Sequence, residues 1–270
     1  MTARLQDLPF DPAALNRLSP ALITSHHQNN YGGAVKRLNA IRKDLAAMPF
    51  ATAPGFQLNG LKREELIATN SMLLHELYFA SLGGDGVTME PAAKLMLEAS
   101  FGSVERWREE FIAMGKALGG GSGWVLLVFQ PREGTLVNQW AADHTHVVAG
   151  GVPILALDMY EHAYHMDFGA AAGAYVDAFM GNISWAAVYG RYQRAVHAAG
   201  EPFGTSRANV VLSQDLQERR TGQPGDYGCL CQTEDDGWKD EAFDVADRTV
   251  KKGHIAGRGC PPPPPGGKHH

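Results

Sequence analysis

The chain has 270 residues, 44% hydrophobic and 20% charged, with a formal net charge of −5, a globular composition long enough for one large domain or two small ones. No window approaches the roughly 18 consecutive apolar residues of a spanning helix, and the opening MTARLQDLPFDPAALNRLSP breaks with acids and prolines where a secretory signal would be continuously apolar. The mild negative charge offers no basic field for nucleic acid. All three cysteines (Cys229, Cys231, Cys260) lie beyond residue 200, which excludes a disulfide scaffold or thiolate metal site from the main body. These features lead us to expect a cytoplasmic protein that engages neither nucleic acid nor membrane.

In chain order the first signals are helical. AVKRLNAIRKDLAAM sets Val35, Leu38, Ile41 and Leu45 on one face at spacings of three and four. LKREELIATNSMLLHELYFASLGG predicts a long helix from Leu61 that stops at Gly83-Gly84. SVERWREEFIAMGKAL predicts another, with Ser103 as N-cap and a glutamate in its first turn. The period then changes. GWVLLVFQ and TLVNQWAA read as strands joined by PREG in a hairpin, and GVPILALDM as a buried third strand. Helical segments return from Glu161 to His197. The expectation is an α+β fold, a helical hairpin followed by a three-stranded antiparallel sheet flanked by helices. The boundaries fall at 1–88, an N-terminal helical-hairpin domain, and 89–203, a C-terminal α/β metal-binding domain. The remaining residues, 204–270, are poor in large apolar side chains and end in a run of five prolines and GGKHH, a composition expected to be disordered.

The eleven histidines matter by their placement. His26-His27 fall just before the first strongly helical segment, and His75 lies inside the long helix beside Leu74, Leu77 and Phe79. Asp158 ends the third strand, with His162 four residues on. A carboxylate at a strand end and an imidazole a turn later can converge on one point, and imidazoles plus one carboxylate suit iron, manganese or zinc. Taken singly, His75 also fits a hydrogen-bonded core histidine, Asp158 a helix N-cap and His26 a surface residue. Two histidines and one carboxylate would also serve a non-haem iron oxygenase, although two long ligand-bearing helices do not suit that scaffold.

The run Asp158-Met159-Tyr160-Glu161-His162-Ala163-Tyr164 resembles the D-x-W-E-H-A-Y signature of the iron/manganese superoxide dismutases. GSGWVLLV at Gly121 to Val128 is similar to a strand start of that family, FGSVERWREEF at Phe101 to Phe111 to one of its helices, and SWAAVYGR at Ser184 to Arg191 to its N-W-x-x-V-x-x-R. LSPALITSH leads to His26, twelve residues before Leu38, and His75 precedes an aromatic pair in HELYF. The likeness covers Leu18 to Val196. It implies disproportionation of superoxide to oxygen and hydrogen peroxide at one iron or manganese ion per subunit, held by His26, His75, Asp158 and His162 with a solvent molecule. It also implies a homodimer or tetramer in which Glu161 bonds His162 of the partner subunit.

The departures from the family lie around the metal. His144, in AADHTH, falls where a glutamine usually meets the solvent molecule, as in some relatives that carry histidine there. The other glutamine position falls on Ser71. The entrance histidine and tyrosine positions fall on Asn30 and Ala34, which leaves Tyr31, beside Gly32-Gly33, as the candidate entrance tyrosine, with His165 as a possible cross-interface partner. Tyr160 replaces a tryptophan, and Arg191 is expected near the anion funnel or in a structural salt bridge. The site residues expected to assist the chemistry are therefore Tyr31, His144 and Glu161. A hypothesis of another class is a dismutase-like binding or assembly protein whose tail engages a partner. Such relatives usually lose ligands, and this chain keeps all four.

Overall fold

The structure is a computed structural model that describes residues 2–200; the expectations for residues 204–270, and the three cysteines, lie outside the described residues. Ser19 caps the first helix, α1 (Pro20–Ser25): its Oγ accepts from the backbone N–H of Leu22, and Pro20 pre-sets the first turn. The helix does not end there. It widens into a π-helical segment, His26–Tyr31, and runs on as α2 (Gly32–Ala47). After a short turn the chain returns as α3 (Gly55–Ala80).

α2 and α3 pack as the expected hairpin, with Val35, Leu38, Ile41 and Leu45 buried on α2 and Ala68, Leu74, Tyr78 and Phe79 on α3. α3 starts six residues before the expected Leu61. Its first turn carries an exposed Phe56, so no buried periodicity marks it; Pro54, with its fixed φ, sets the start instead. The helix also ends before the glycine pair. Ser81 turns its Oγ onto the Leu77 carbonyl, and Leu82 forms an isolated bridge with Ile183. Gly84 then passes so close to the Ile183 carbonyl that a Cβ would lie 2.3 Å from it, so the glycine serves chain approach rather than the cap.

Two helices follow, α4 (Pro91–Phe101) and α5 (Val104–Ala117). The FGS motif therefore straddles a break. Phe101 closes α4, Gly102 takes φ +85°, and Ser103 caps α5 by accepting from the Arg106 N–H at 3.0 Å.

The sheet is antiparallel in the order β2-β1-β3, with β1 Trp124–Gln130, β2 Thr135–Ala141 and β3 Val152–Asp158. Pro131 to Gly134 form the β1–β2 turn, and Gly134 adopts positive φ. β1 is central and buried along all but its last residue, which explains its unbroken apolar run. Its register sets Trp124 opposite Asp158, bringing the GSGW strand start beside the carboxylate. Three helices complete the described residues: α6 (His165–Phe168), α7 (Ala172–Met180) and α8 (Trp185–Gly200). One hydrophobic core joins Leu22, Tyr78 and Phe79 from the helical half to Trp124, Leu157, Tyr175 and Trp185 from the sheet half. It therefore crosses the 88/89 boundary.

Candidate metal centre

Four elements deliver four side chains to one point. His26 opens the π-helical segment, His75 lies in α3, Asp158 ends β3, and His162 sits in a single 3-10 turn, Glu161–Ala163. His26 and His27 are thus inside a continuous helical run, not before it as the sequence led us to expect. The stretch HHQNN has no apolar periodicity, and Tyr31 after it is followed by two glycines, so the pattern reads as a break. Burial of His26, His27 and Tyr31 supplies what the pattern lacks.

One ligand atom from each of His26, His75, Asp158 and His162 lies within 4.8 Å of every other. The Nε2 atoms of His26, His162 and His75 stand 3.2, 3.1 and 3.5 Å from the same Asp158 Oδ2. These separations suit ligand atoms each about 2 Å from a common centre. The donor chemistry supports the same reading. Nδ1 of His75 lies 2.6 Å from the Ser71 carbonyl oxygen, which only accepts, so Nδ1 carries the ring's proton. A neutral His75 then points a bare Nε2 lone pair at the carboxylate, and at Nε2 of His162 3.4 Å away. Lone pairs facing one another in a buried site are reconciled by a cation between them.

Electrostatics keeps the ligands in their binding forms. Burial lowers the pKa of His26 and pushes that of His75 down to about 3, so both rings stay neutral. Burial alone would raise the Asp158 carboxyl, but the imidazoles of His162 and His26 prevail and hold it well below the usual carboxylate range. The Asp158 backbone is fixed as well: the Tyr175 hydroxyl donates to its carbonyl at 2.7 Å, and its Oδ1 accepts from the Tyr160 N–H at 2.9 Å. Of the four ligand side chains only that of His162 is open, at 26% exposure.

His144 lies beside this cluster. Its Nδ1 accepts from the Trp124 indole N–H at 3.0 Å, so in the neutral ring Nε2 carries the proton. Asn70 donates to its backbone carbonyl, and burial lowers the pKa of the imidazole. Tyr160 stacks between His144 and His162, with centroids 4.9 and 5.4 Å apart and planes within 16° and 13°. Burial, with the nearby Asp158 and Asp143 charges, pushes its hydroxyl up to about 12. Ser71 is buried against His75, which uses the Ser71 backbone carbonyl.

Tyr31 is 1% exposed and its hydroxyl is fully engaged. It donates to Glu76 Oε1 at 2.8 Å and accepts from the Gln6 N–H at 3.0 Å. Gly32 and Gly33 open α2, and the irregularity is the π-helical segment before them. Glu161 and His165 are exposed. Among the described residues no carboxylate pairs with Arg191, which departs from the salt-bridge expectation. Its Nε donates to the Ile154 carbonyl, Nη1 to the Ala80 carbonyl and Nη2 to Ser81 Oγ, at 2.8, 3.0 and 2.8 Å. It fastens the end of α3 to β3, and burial lowers its pKa to about 10. Sequence reasoning missed Glu76, Gln6 and Asn70. Glu76 stands next to His75 in HELYF, where a helical glutamate reads as solvated surface.

Comparison with known proteins points in one direction. A family model for the C-terminal domain of iron/manganese superoxide dismutases matches residues 89–191. An iron superoxide dismutase of Cupriavidus metallidurans is 65% identical over 73% of this chain and 99% of its own. A manganese enzyme of Halobacterium salinarum is 34% identical over 71% of this chain and 95% of its own. An iron enzyme of Aquifex pyrophilus is 33% identical over 69% and 90%, respectively.

Proposed function

The chain belongs to the iron/manganese superoxide dismutase family, and on that footing we propose that His26, His75, Asp158 and His162 hold the metal with which it disproportionates superoxide. The observation that carries this reading is the convergence of three imidazole Nε2 atoms on one carboxylate oxygen, with the His75 proton committed to its other nitrogen. When bound, an iron or manganese ion supplies a one-electron couple between divalent and trivalent states, which both oxidation and reduction of superoxide require. The 65% identical relative bears the name of an iron enzyme, and iron is the metal proposed here.

The protein's own part is to bind, orient and exclude. Neutral histidines and one carboxylate leave both charge states of a metal accessible. Asp158, pinned through its carbonyl by Tyr175, fixes the shared oxygen. His162 is the open ligand, so its edge and the Tyr160 face form the approach for a small anion. His144 presents an N–H from Nε2, oriented by Trp124, and serves as the donor that orders a solvent molecule near the cluster. Each peroxide formed takes up two protons.

Glu161, exposed in the single chain, is proposed to cross to a second copy in a homodimer or tetramer. A cytoplasmic location rests on the absence of cysteine from the first 200 residues. Elemental analysis and superoxide turnover of the protein loaded separately with iron and with manganese test the metal assignment. Turnover with manganese alone would refute iron. Sedimentation of the wild type and Glu161→Ala tests the interface, and a wild-type monomer at micromolar concentration would exclude it.

A further inference from the structure

We propose that Tyr31 and Glu76 form a clamp across two ligand-bearing elements, with Glu76 a positioning residue for metal retention. The proposal rests on the four-ligand reading above. Tyr31 is the last residue of the π-helical segment that His26 opens, and Glu76 directly follows His75 on α3. The hydrogen bond from Tyr31 to Glu76 at 2.8 Å therefore joins the far end of one ligand's segment to the neighbour of another ligand. Its acceptor is a carboxylate, so the bond is charge-assisted.

An independent observation shows why such a tie is needed. A ligating histidine is ordinarily oriented by a hydrogen bond from its second nitrogen. His75 has one, to the Ser71 carbonyl. His26 has none among the described residues: its Nδ1 is buried there without a partner. His26 also opens a π-helical segment, a rare arrangement that frequently marks functional sites. Ring contacts with Tyr78 and Phe79, both with centroids 5.0 Å away, hold one side of His26. Tyr31 acts one step removed, through the neighbours of His26. Its ring lies parallel to His75 at 6.4 Å, edge-on to His27 at 5.4 Å and against Phe79 at 6.2 Å.

The N-terminal arm closes the arrangement. Gln6 gives its N–H to the Tyr31 hydroxyl, and its carbonyl lies 2.8 Å from Nε2 of His27. The single proton of Tyr31 is directed at Glu76, so the hydroxyl works here as a structural donor.

The test uses the full chain loaded with manganese(II), with metal release followed in excess chelator. Tyr31→Phe keeps the ring and removes the donor; Glu76→Ala removes the acceptor; Glu76→Gln keeps a carbonyl oxygen that accepts. Tyr31→Phe and Glu76→Ala should each speed release roughly tenfold, the low end of the loss seen when support of a metal ligand is removed. The double variant should be no faster than either single one, because both break one bond. Glu76→Gln should restore slow release, and the thermal midpoint of the metal-free protein should fall by no more than a few degrees across the set. Release at the wild-type rate in Tyr31→Phe or in Glu76→Ala would overturn the clamp. So would a loss of activity per metal in Tyr31→Phe with wild-type release, which would make Tyr31 a proton donor at the entrance. Failure of the wild type to retain manganese or iron at all would overturn the four-ligand reading and the clamp with it.

Discussion

His75 and His26 approach the same carboxylate oxygen from two helices, and the chain holds them in different ways. His75 lies in a regular helix and bonds its Nδ1 to a carbonyl of that helix, so the local geometry largely orients the ring. His26 lies in a π-helical segment, has no partner for its Nδ1 among the described residues, and packs against Tyr78 and Phe79 of α3. A ligand on a regular element is set by local structure, whereas one on an irregular element is set by its neighbours. The second arrangement leaves more to residues that never meet the metal.

The largest effect should come from the residue both histidines share. Asp158→Ala removes the oxygen on which three imidazoles converge. It is expected to lower metal content by at least about a hundredfold, the upper range for loss of ligand support, and to abolish turnover. Elemental analysis with a dismutation assay checks this; retained metal would mean the histidines suffice without the carboxylate.

Acid should act next, on both histidines at once. The pKa values of His26 and His75 are lowered, the latter to about 3, against an unfolded histidine near 6.5. Between these values the unfolded chain takes up protons that the folded chain refuses, so stability of the metal-free protein should fall as pH drops below about 6.5. Asp158, depressed in the fold, extends the loss below about 4. Urea denaturation of the metal-free protein from pH 8 to pH 4 would show it, and a flat profile would contradict the burial argument.

Arg191→Met separates the two supports more finely. It leaves the Ile154 and Ala80 carbonyls and the Ser81 hydroxyl without their donor, at an expected cost of about 3 kcal/mol. Because Arg191 fastens the end of α3, the His75 side should loosen while the π-helical segment keeps its contacts. Denaturation of the metal-free variant measures the cost. A change under about 0.5 kcal/mol, the size of an ordinary surface substitution, would show that the clasp carries no weight.

The smallest effect tests the arm on the other side. Asn39 exchanges two hydrogen bonds with the backbone of Ala3. Asn39→Ala should cost about 1 kcal/mol and raise amide exchange at Gln6 while leaving α3 unchanged. Unaltered exchange at Gln6 would show that the arm is held from elsewhere.

Much of this was legible before any coordinates. The hairpin of β1 and β2 followed from PREG between two apolar runs. The buried face of α2 followed from spacings of three and four, and the four candidate ligands stood out once the EHAY run was seen. The start of α3 was hidden because an exposed first turn has no periodicity to report. The π-helical segment was hidden because polar residues and two glycines look like a break when nothing shows that they are buried. The salt-bridge expectation for Arg191 failed among the described residues because the guanidinium pairs there with carbonyl and hydroxyl oxygens, which no charge pattern reports.

The sequence by itself determined the order of elements, the alternation that builds the sheet, and the residue types able to hold a metal. These depend on patterns within one segment, on 3.6- and 2-residue periods and on turn chemistry. Only the tertiary structure decided that His26 meets Asp158 and that the Tyr31 hydroxyl goes to Glu76. Those outcomes depend on atoms brought together from 45 residues apart, in the case of Tyr31 and Glu76, or 132, in the case of His26 and Asp158. No local pattern encodes such meetings, because burial and hydrogen-bond partners are fixed only when the elements pack.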